Sequence, residues 1–254
     1  MADEKNMSRI APTPPQGQPR SSDPSGGGIP PLRDGDRLTR EEFHRRYEAM
    51  PELNNAELIE GIVYLPSPVF EEWHGEPDMS VSAWLGMYSW RTPGVIGASN
   101  CTVIMDDLNE PQPDSYLRIG SRAMSQTWRD AEGYLHGAPE LVAETSASRK
   151  SYDLGPKRTA YLRNGVREYI VYCTKDRALL WFILRAGQYE RLEPDARGVI
   201  RSEAFPGLWL DVTGMLRNDG PAILHALEEG LATPEHDAFV AKLSQVAPTG
   251  GPST

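Results

Sequence analysis

Between Pro139 and Tyr172 the chain reads PELVAETSASRKSYDLGPKRTAYLRNGVREYIVY, and this stretch limits the fold more than any other. Leu141-Val142-Ala143 is the kind of short apolar run that forms a buried strand, and one carboxylate, Glu144, interrupts it. A polar turn from Thr145 to Ser151 leads into a helical pattern from about Asp153, its N-cap, to Asn164, with Gly165 as C-cap. Glu168 to Tyr172 reads as a second strand. Strand, crossover helix and strand make the βαβ unit of a mostly parallel, buried sheet. A carboxylate in such a strand is costly to bury without a partner. Lys157, in the first turns of the helix, is the partner within reach, and the pair marks a candidate site.

The flanking segments fit around that unit. Residues 1–36 are rich in Pro, Gly and Ser and lack hydrophobic periodicity, so a disordered tail is expected there, and another at 246–254. Thr39 followed by Glu42 fits a capping box, and Phe43 with Tyr47 begins an apolar stripe. Leu58-Ile59 and Ile62 to Leu65 read as a hairpin turning at Glu60-Gly61, with Glu60 a solvated charge and Glu57 able to point inward. His74-Gly75 enters a helix carrying Met79, Val81, Trp84, Leu85 and Tyr88, and Pro77 lies in its first turn. Gly94 to Met105 reads as a strand pair or one bulged strand, and Ser115 to Ile119 as a strand opened by Pro113-Asp114. Gly120 to Ala138 reads as a polar loop or an ill-defined helix. Ala178 to Leu184 and Gln188 to Leu192 form a second hairpin, and Pro221 to Gly230 and Pro234 to Leu243 form terminal helices.

Bulk properties exclude several classes. No apolar run is long enough to span a bilayer and the start is polar, so a cytoplasmic protein without a membrane partner is expected. Cys101 and Cys173 lie in apolar surroundings without metal-ligand spacing and read as reduced core thiols, and the tryptophans read as core or interface. A formal net charge of −10 argues against a surface coated for nucleic acid, yet basic residues outnumber acidic ones between Arg149 and Arg185. That excess is either a solvated helix face or a local field for phosphates.

Asp114 opens one strand and Glu144 lies in another, so the two carboxylates can meet across neighbouring strands and hold a hard divalent cation such as Mg²⁺. A lysine beside them can orient an attacking water and offset charge developing on a phosphate. Taken alone, the same residues also fit a structural Glu144–Lys157 ion pair, with Asp114 a turn residue and Asp153 a cap.

The order of segments adds to this. ELIEG, LPSP, HG, PQPD, PELVAETSAS and DLGPKRTAYLRNGVREYIVY follow one another from Glu57 to Tyr172. Together they resemble the Uma-type restriction endonucleases of the PD-(D/E)XK nuclease superfamily, over roughly Leu38 to Leu210. The resemblance implies an α/β restriction-endonuclease-like core, a mixed central sheet flanked by helices, within one domain at 37–245 that carries an added N-terminal hairpin and C-terminal helices. It implies Asp114 and Glu144 as ligands of Mg²⁺ or Mn²⁺, Lys157 and Glu57 as their catalytic companions, and His74, Asp153 and Tyr161 close by. DNA is the implied substrate and a homodimer the expected assembly. Two departures stand out. Ser146 holds the place where the superfamily lysine usually stands, two residues after the acid, and Lys157 on the helix is the matching lysine; Ala147 and Pro156 replace, respectively, a turn proline and a good helix former. Two rival readings remain: a non-catalytic nuclease-fold module for nucleic-acid or protein association, favoured by the acidic charge, and a paired-carboxylate glycosidase, which would give Lys157 no task.

Overall fold

The computed structural model describes residues 28–147 and 150–245, within which a compact unit begins at Pro31. The expected terminal tails fall largely outside the described residues, although Leu32 is already buried. Helix α1 (Arg40–Glu48) is capped by Thr39, whose hydroxyl accepts the Glu42 N–H, while the Glu42 carboxylate turns to Arg45 and Arg46. Strands β1 (Glu57–Ile59) and β2 (Ile62–Tyr64) form the expected hairpin, with Glu60 and Gly61 both at positive φ. Glu60 is not a freely solvated charge: Arg163 pairs with it at 2.9 Å.

A π-turn at Glu71–Gly75 leads into α2 (Glu76–Arg91). Strands β3 (Val95–Ala98), β4 (Val103–Ile104), β5 (Ser115–Ile119), β6 (Trp128–Arg129), β7 (Leu135–His136) and β8 (Leu141–Ser146) follow. The crossover comprises α3 (Lys150–Tyr152), a π-turn at Asp153–Lys157 and α4 (Arg158–Arg163). After it come β9 (Glu168–Cys173), β10 (Ala178–Arg185), β11 (Gln188–Leu192), β12 (Val199–Arg201) and β13 (Trp209–Asp211). Helices α5 (Val212–Leu216), α6 (Gly220–Leu231) and α7 (Pro234–Ser244) end the described chain.

Six strands form the central sheet in the order β11-β10-β9-β8-β5-β3, with β8 and β9 parallel and every other neighbour antiparallel. Side chains alternate between two cores, as a sheet buried on both faces requires. Leu117, Leu141, Ala143, Ile170 and Trp181 pack with α2 and the C-terminal helices. Tyr116, Val142, Tyr169, Val171 and Phe182 pack on the opposite side with Tyr161 of α4. The β5–β8 ladder stops where Ser115 faces Ala143, whereas β8 and β9 stay paired as far as Ser146 opposite Cys173. The last three residues of β8 therefore have a strand on one side only.

Several expectations need correction. Gly120 to Ala138 is neither simple loop nor helix: β6 and β7 form a small sheet with β4, held by bonds that the Asp130 carboxylate accepts from His136 and from the Tyr134 N–H. Strands of two residues are too short to show a period. The two strands of the Gly94 to Met105 segment belong to different sheets. Cys101 is exposed rather than in the core, and both cysteines are free thiols. Trp84 and Trp181 pack edge to face in the core, but Trp90 is 80% exposed. Much of the basic excess is paired: Lys150 with Asp176, Arg163 with Glu60 and Asp106, Arg185 with Glu190 and Glu203. Among the described residues no helix is long and apolar enough to cross a membrane.

Candidate active site

Alternation along β8 points Glu144 to the same side as Val142, toward α4, where it is buried. One of its oxygens, Oε1, accepts the Lys157 ammonium at 2.9 Å and the Tyr161 hydroxyl at 2.7 Å. Both donors come from the crossover helix, four residues apart and so on one face. That helix starts at Lys150, three residues earlier than the sequence suggests, so Asp153 is not its N-cap and Pro156 lies well inside it. An interior proline lacks an N–H and its ring clashes with the carbonyl four residues back, here that of Tyr152. Widening the turn at Asp153–Lys157 to the π form accommodates the ring and takes in one extra residue. The result leaves Lys157 buried and facing the sheet.

Asp114 immediately precedes β5, next to the point where β5 and β8 part. Its Oδ2 accepts the Thr145 N–H at 2.7 Å, taking over from the ladder, and its own N–H lies 3.5 Å from Glu144 Oε2. Glu57, the first residue of β1, accepts from three groups: the Gln112 N–H at 2.8 Å, the Tyr152 hydroxyl at 3.0 Å and the Lys157 ammonium at 2.9 Å. His74, in the first π-turn, donates from Nδ1 to the Thr145 carbonyl at 2.9 Å. Asp153 is buried within the second π-turn. Glu57, His74, Asp114, Glu144, Asp153 and Lys157 line one cavity of about 370 Å³, with Val69 and Phe70 exposed at its rim. Tyr161 stands behind it against Glu144.

Sequence reasoning missed three neighbours of the site, Tyr152, Gln112 and Asp78, and gave Ser146 no contact of its own. Tyr152 holds Glu57 and lies under the Lys157 ammonium, 5.3 Å from its ring centre. Gln112 fixes Glu57 from within the PQPD segment, whose middle residue was the available signal. Asp78 receives a 3.4 Å contact from the Thr145 hydroxyl. Ser146 lines the cavity with a buried hydroxyl that has no hydrogen-bond partner among the described residues.

Electrostatically the cavity is lopsided. Among the described residues, Glu57, Asp114 and Glu144 gather around one ammonium, that of Lys157. Burial pushes Asp114 up to about 6, a rise that Lys157 and the Thr145 N–H only partly oppose. Burial also raises Glu144 well above the usual carboxylate range; Lys157 opposes this, while Asp114, Glu57 and Asp153 add to it. For Lys157 burial works downward, but the surrounding carboxylates outweigh it and hold the ammonium well above its usual value. The lysine is thus a fixed cation, and the acids carry the site's labile protons. Glu168 is a useful contrast. It is just as buried, but four donors saturate it, from Trp181, Ser202, Glu203 and Ala204, which makes it a structural clamp.

The family model named Uma2, described as "Putative restriction endonuclease", matches residues 40–213, well over half of the chain. This chain belongs to the Uma2 family. The matched span contains all six cavity side chains named above. Among solved structures, one from Anabaena variabilis ATCC 29413, described as "a putative nuclease belonging to DUF820", aligns over 71% of this chain and 98% of its own length. At 17% identity and a TM-score of 0.52 it supports the fold, in agreement with a restriction-endonuclease-like α/β core. No curated protein matches.

Proposed function

We propose that this Uma2-family chain is an endodeoxyribonuclease that hydrolyses phosphodiester bonds with the help of Mg²⁺ or Mn²⁺. The observation that carries this reading is the meeting, among the described residues, of the Asp114 and Glu144 carboxylates beside the Lys157 ammonium in one buried cavity. Buried charges are retained only when something compensates them, and a hard divalent cation is the compensation that suits oxygen donors. Among the described residues no three Asp, Glu, His or Cys side chains form a ready-made cage. Mg²⁺ asks for less, since it is commonly bound by one or two carboxylates and completes its sphere with water and substrate phosphate.

Asp114 and Glu144 would hold the cation, Glu144 through Oε2, the oxygen not engaged by Lys157 and Tyr161. When bound, a divalent ion polarises a phosphoryl oxygen and makes water more acidic. The chain's own residues do the rest. Lys157 is too strongly held in its charged form to act as a base, so it acts as a donor. Two of its three N–H bonds go to Glu144 and Glu57, and we assign the third to the attacking water or to a phosphoryl oxygen. Glu57 spends both oxygens on protein donors and is therefore a positioning residue that aims Lys157. His74 fixes the Thr145 backbone, and Tyr161 keeps Glu144 in its rotamer.

The test is plasmid and oligonucleotide cleavage by purified protein in Mg²⁺ and in Mn²⁺, followed by Asp114→Ala and Glu144→Ala. Both substitutions should abolish cleavage; activity surviving both would remove these residues from the mechanism. Calorimetry separates the reading from a non-catalytic module, which needs no divalent ion at this pair.

A further inference from the structure

Helix α2 is anomalous. One side of it, with Val81, Trp84, Leu85 and Tyr88, is buried in the core. A helix of this kind normally turns charged residues outward, yet from Met79 to Trp90 there is no charged residue at all. The outward line is Met79, Ala83, Gly86 and Trp90, spaced at four, three and four residues, with Met79 69% and Trp90 80% exposed. An exposed helix face with large apolar side chains and no charge is the kind of patch that marks an interaction site. Gly86 gives a second, independent indication. Glycine inside a helix costs stability relative to alanine. Here a Cβ would meet nothing within 4 Å, so the protomer's own packing gives no reason for the glycine. A close approach from outside does.

We propose that this face of α2 is a self-association surface and that its partner is a second copy of the chain, with the two α2 helices antiparallel about a two-fold axis. The pattern is self-complementary under that operation, and the charges at the helix ends select it over a parallel pairing. With the axis passing between Ala83 and Gly86, Met79 faces Trp90 of the other copy and Ala83 faces Gly86, so bulky residues meet at the ends and small ones at the middle, where backbones come closest. This is the isologous arrangement that two-fold dimers use. Charge fits the same operation. Glu76 and Arg91, both exposed, lie at opposite ends of the helix on one flank, and the antiparallel pairing brings each beside its opposite on the partner. A parallel pairing would set like against like. Trp90 then becomes a buried aromatic anchor at each end of the pairing, a residue type that dominates association energies. This inference is independent of the nuclease reading.

Sedimentation of the full chain tests it. The protein should be a dimer at about 10 μM. Gly86→Glu, whose Cβ would meet nothing in the protomer, should remain folded by circular dichroism and weaken the dimer by about 100-fold or more. Glu76→Arg alone should weaken it by a smaller factor, and adding Arg91→Glu should restore it. Monomeric wild-type protein overturns the proposal, whatever else covers the face. So does a dimer indifferent to Gly86→Glu, or a charge swap that fails to rescue.

Discussion

Removing the charge of Asp114 should make the metal-free protein more stable, by an amount that depends on pH in a defined way. Asp114 titrates near 6 in the folded chain against an ordinary 3.8, and burial is the main cause. Well below 3.8 the group is protonated in both folded and unfolded chains, so replacing it by a neutral isostere changes little there. As pH rises, the unfolded chain releases the proton first, and the folded chain holds it until about pH 6. Wild-type stability therefore falls across this window and levels off above it. A gap of roughly two pH units, at about 1.4 kcal/mol each, comes to about 3 kcal/mol. Asp114→Asn keeps an oxygen for the Thr145 N–H and has no charge to strand. Urea unfolding in EDTA, followed by circular dichroism, should find the two proteins nearly equal well below pH 3.8 and the variant ahead by about 3 kcal/mol at about pH 7. Adding Mn²⁺ should then stabilise the wild type and leave the variant unmoved. A difference that does not vary with pH, or a wild type more stable at neutral pH without metal, would refute the account of a site strained by its own charge.

Lys157→Met should act in the opposite sense, costing about 3–5 kcal/mol at neutral pH because it leaves Glu144 and Glu57 without their cation; denaturation at about pH 4, where carboxylates begin to protonate, should show a smaller loss. Ser146→Lys placed in that background should recover part of any cleavage lost, since Ser146 lies on the same face as Glu144 and lines the same cavity; a folded double variant as inactive as the single one would count against the helix lysine having taken over the strand's role. Gly230→Ala should lower the melting temperature by the equivalent of about 1–3 kcal/mol, because its Cβ would stand 2.3 Å from the Gly207 carbonyl oxygen and 2.7 Å from the Trp209 ring.

What could be read in advance follows from where the information is local. The crossover unit was legible because Leu141–Ala143 and Glu168–Tyr172 are continuous apolar runs broken at meaningful places, and because Gly165 adopts the positive φ expected past a helix end. Glu144 stood out because it interrupts an apolar run; Lys157 followed as its partner within reach, and Asp114 drew its weight from the order of segments that resembles the family. The start of the crossover helix was misjudged because Asp153 looks like a cap in sequence and only packing shows it buried inside a π-turn. Strand β12 and helix α5 went unread. The first has three residues, and the second is announced only by Asp211, whose carboxylate accepts the Gly214 N–H. Trp90 was read only as core or interface, and its 80% exposure in the protomer takes it out of the core.

The parting of β5 from β8 has a consequence of its own. Where a sheet stays zipped, backbone bonding sets the spacing between strands and side chains merely decorate it. Past Ala143 that rule lapses, and the width of the wedge is set by what stands at 112 to 114 and at 144 to 146. A scaffold with such a cleft can alter what it admits by exchanging a few residues at its apex, leaving the rest of the architecture untouched.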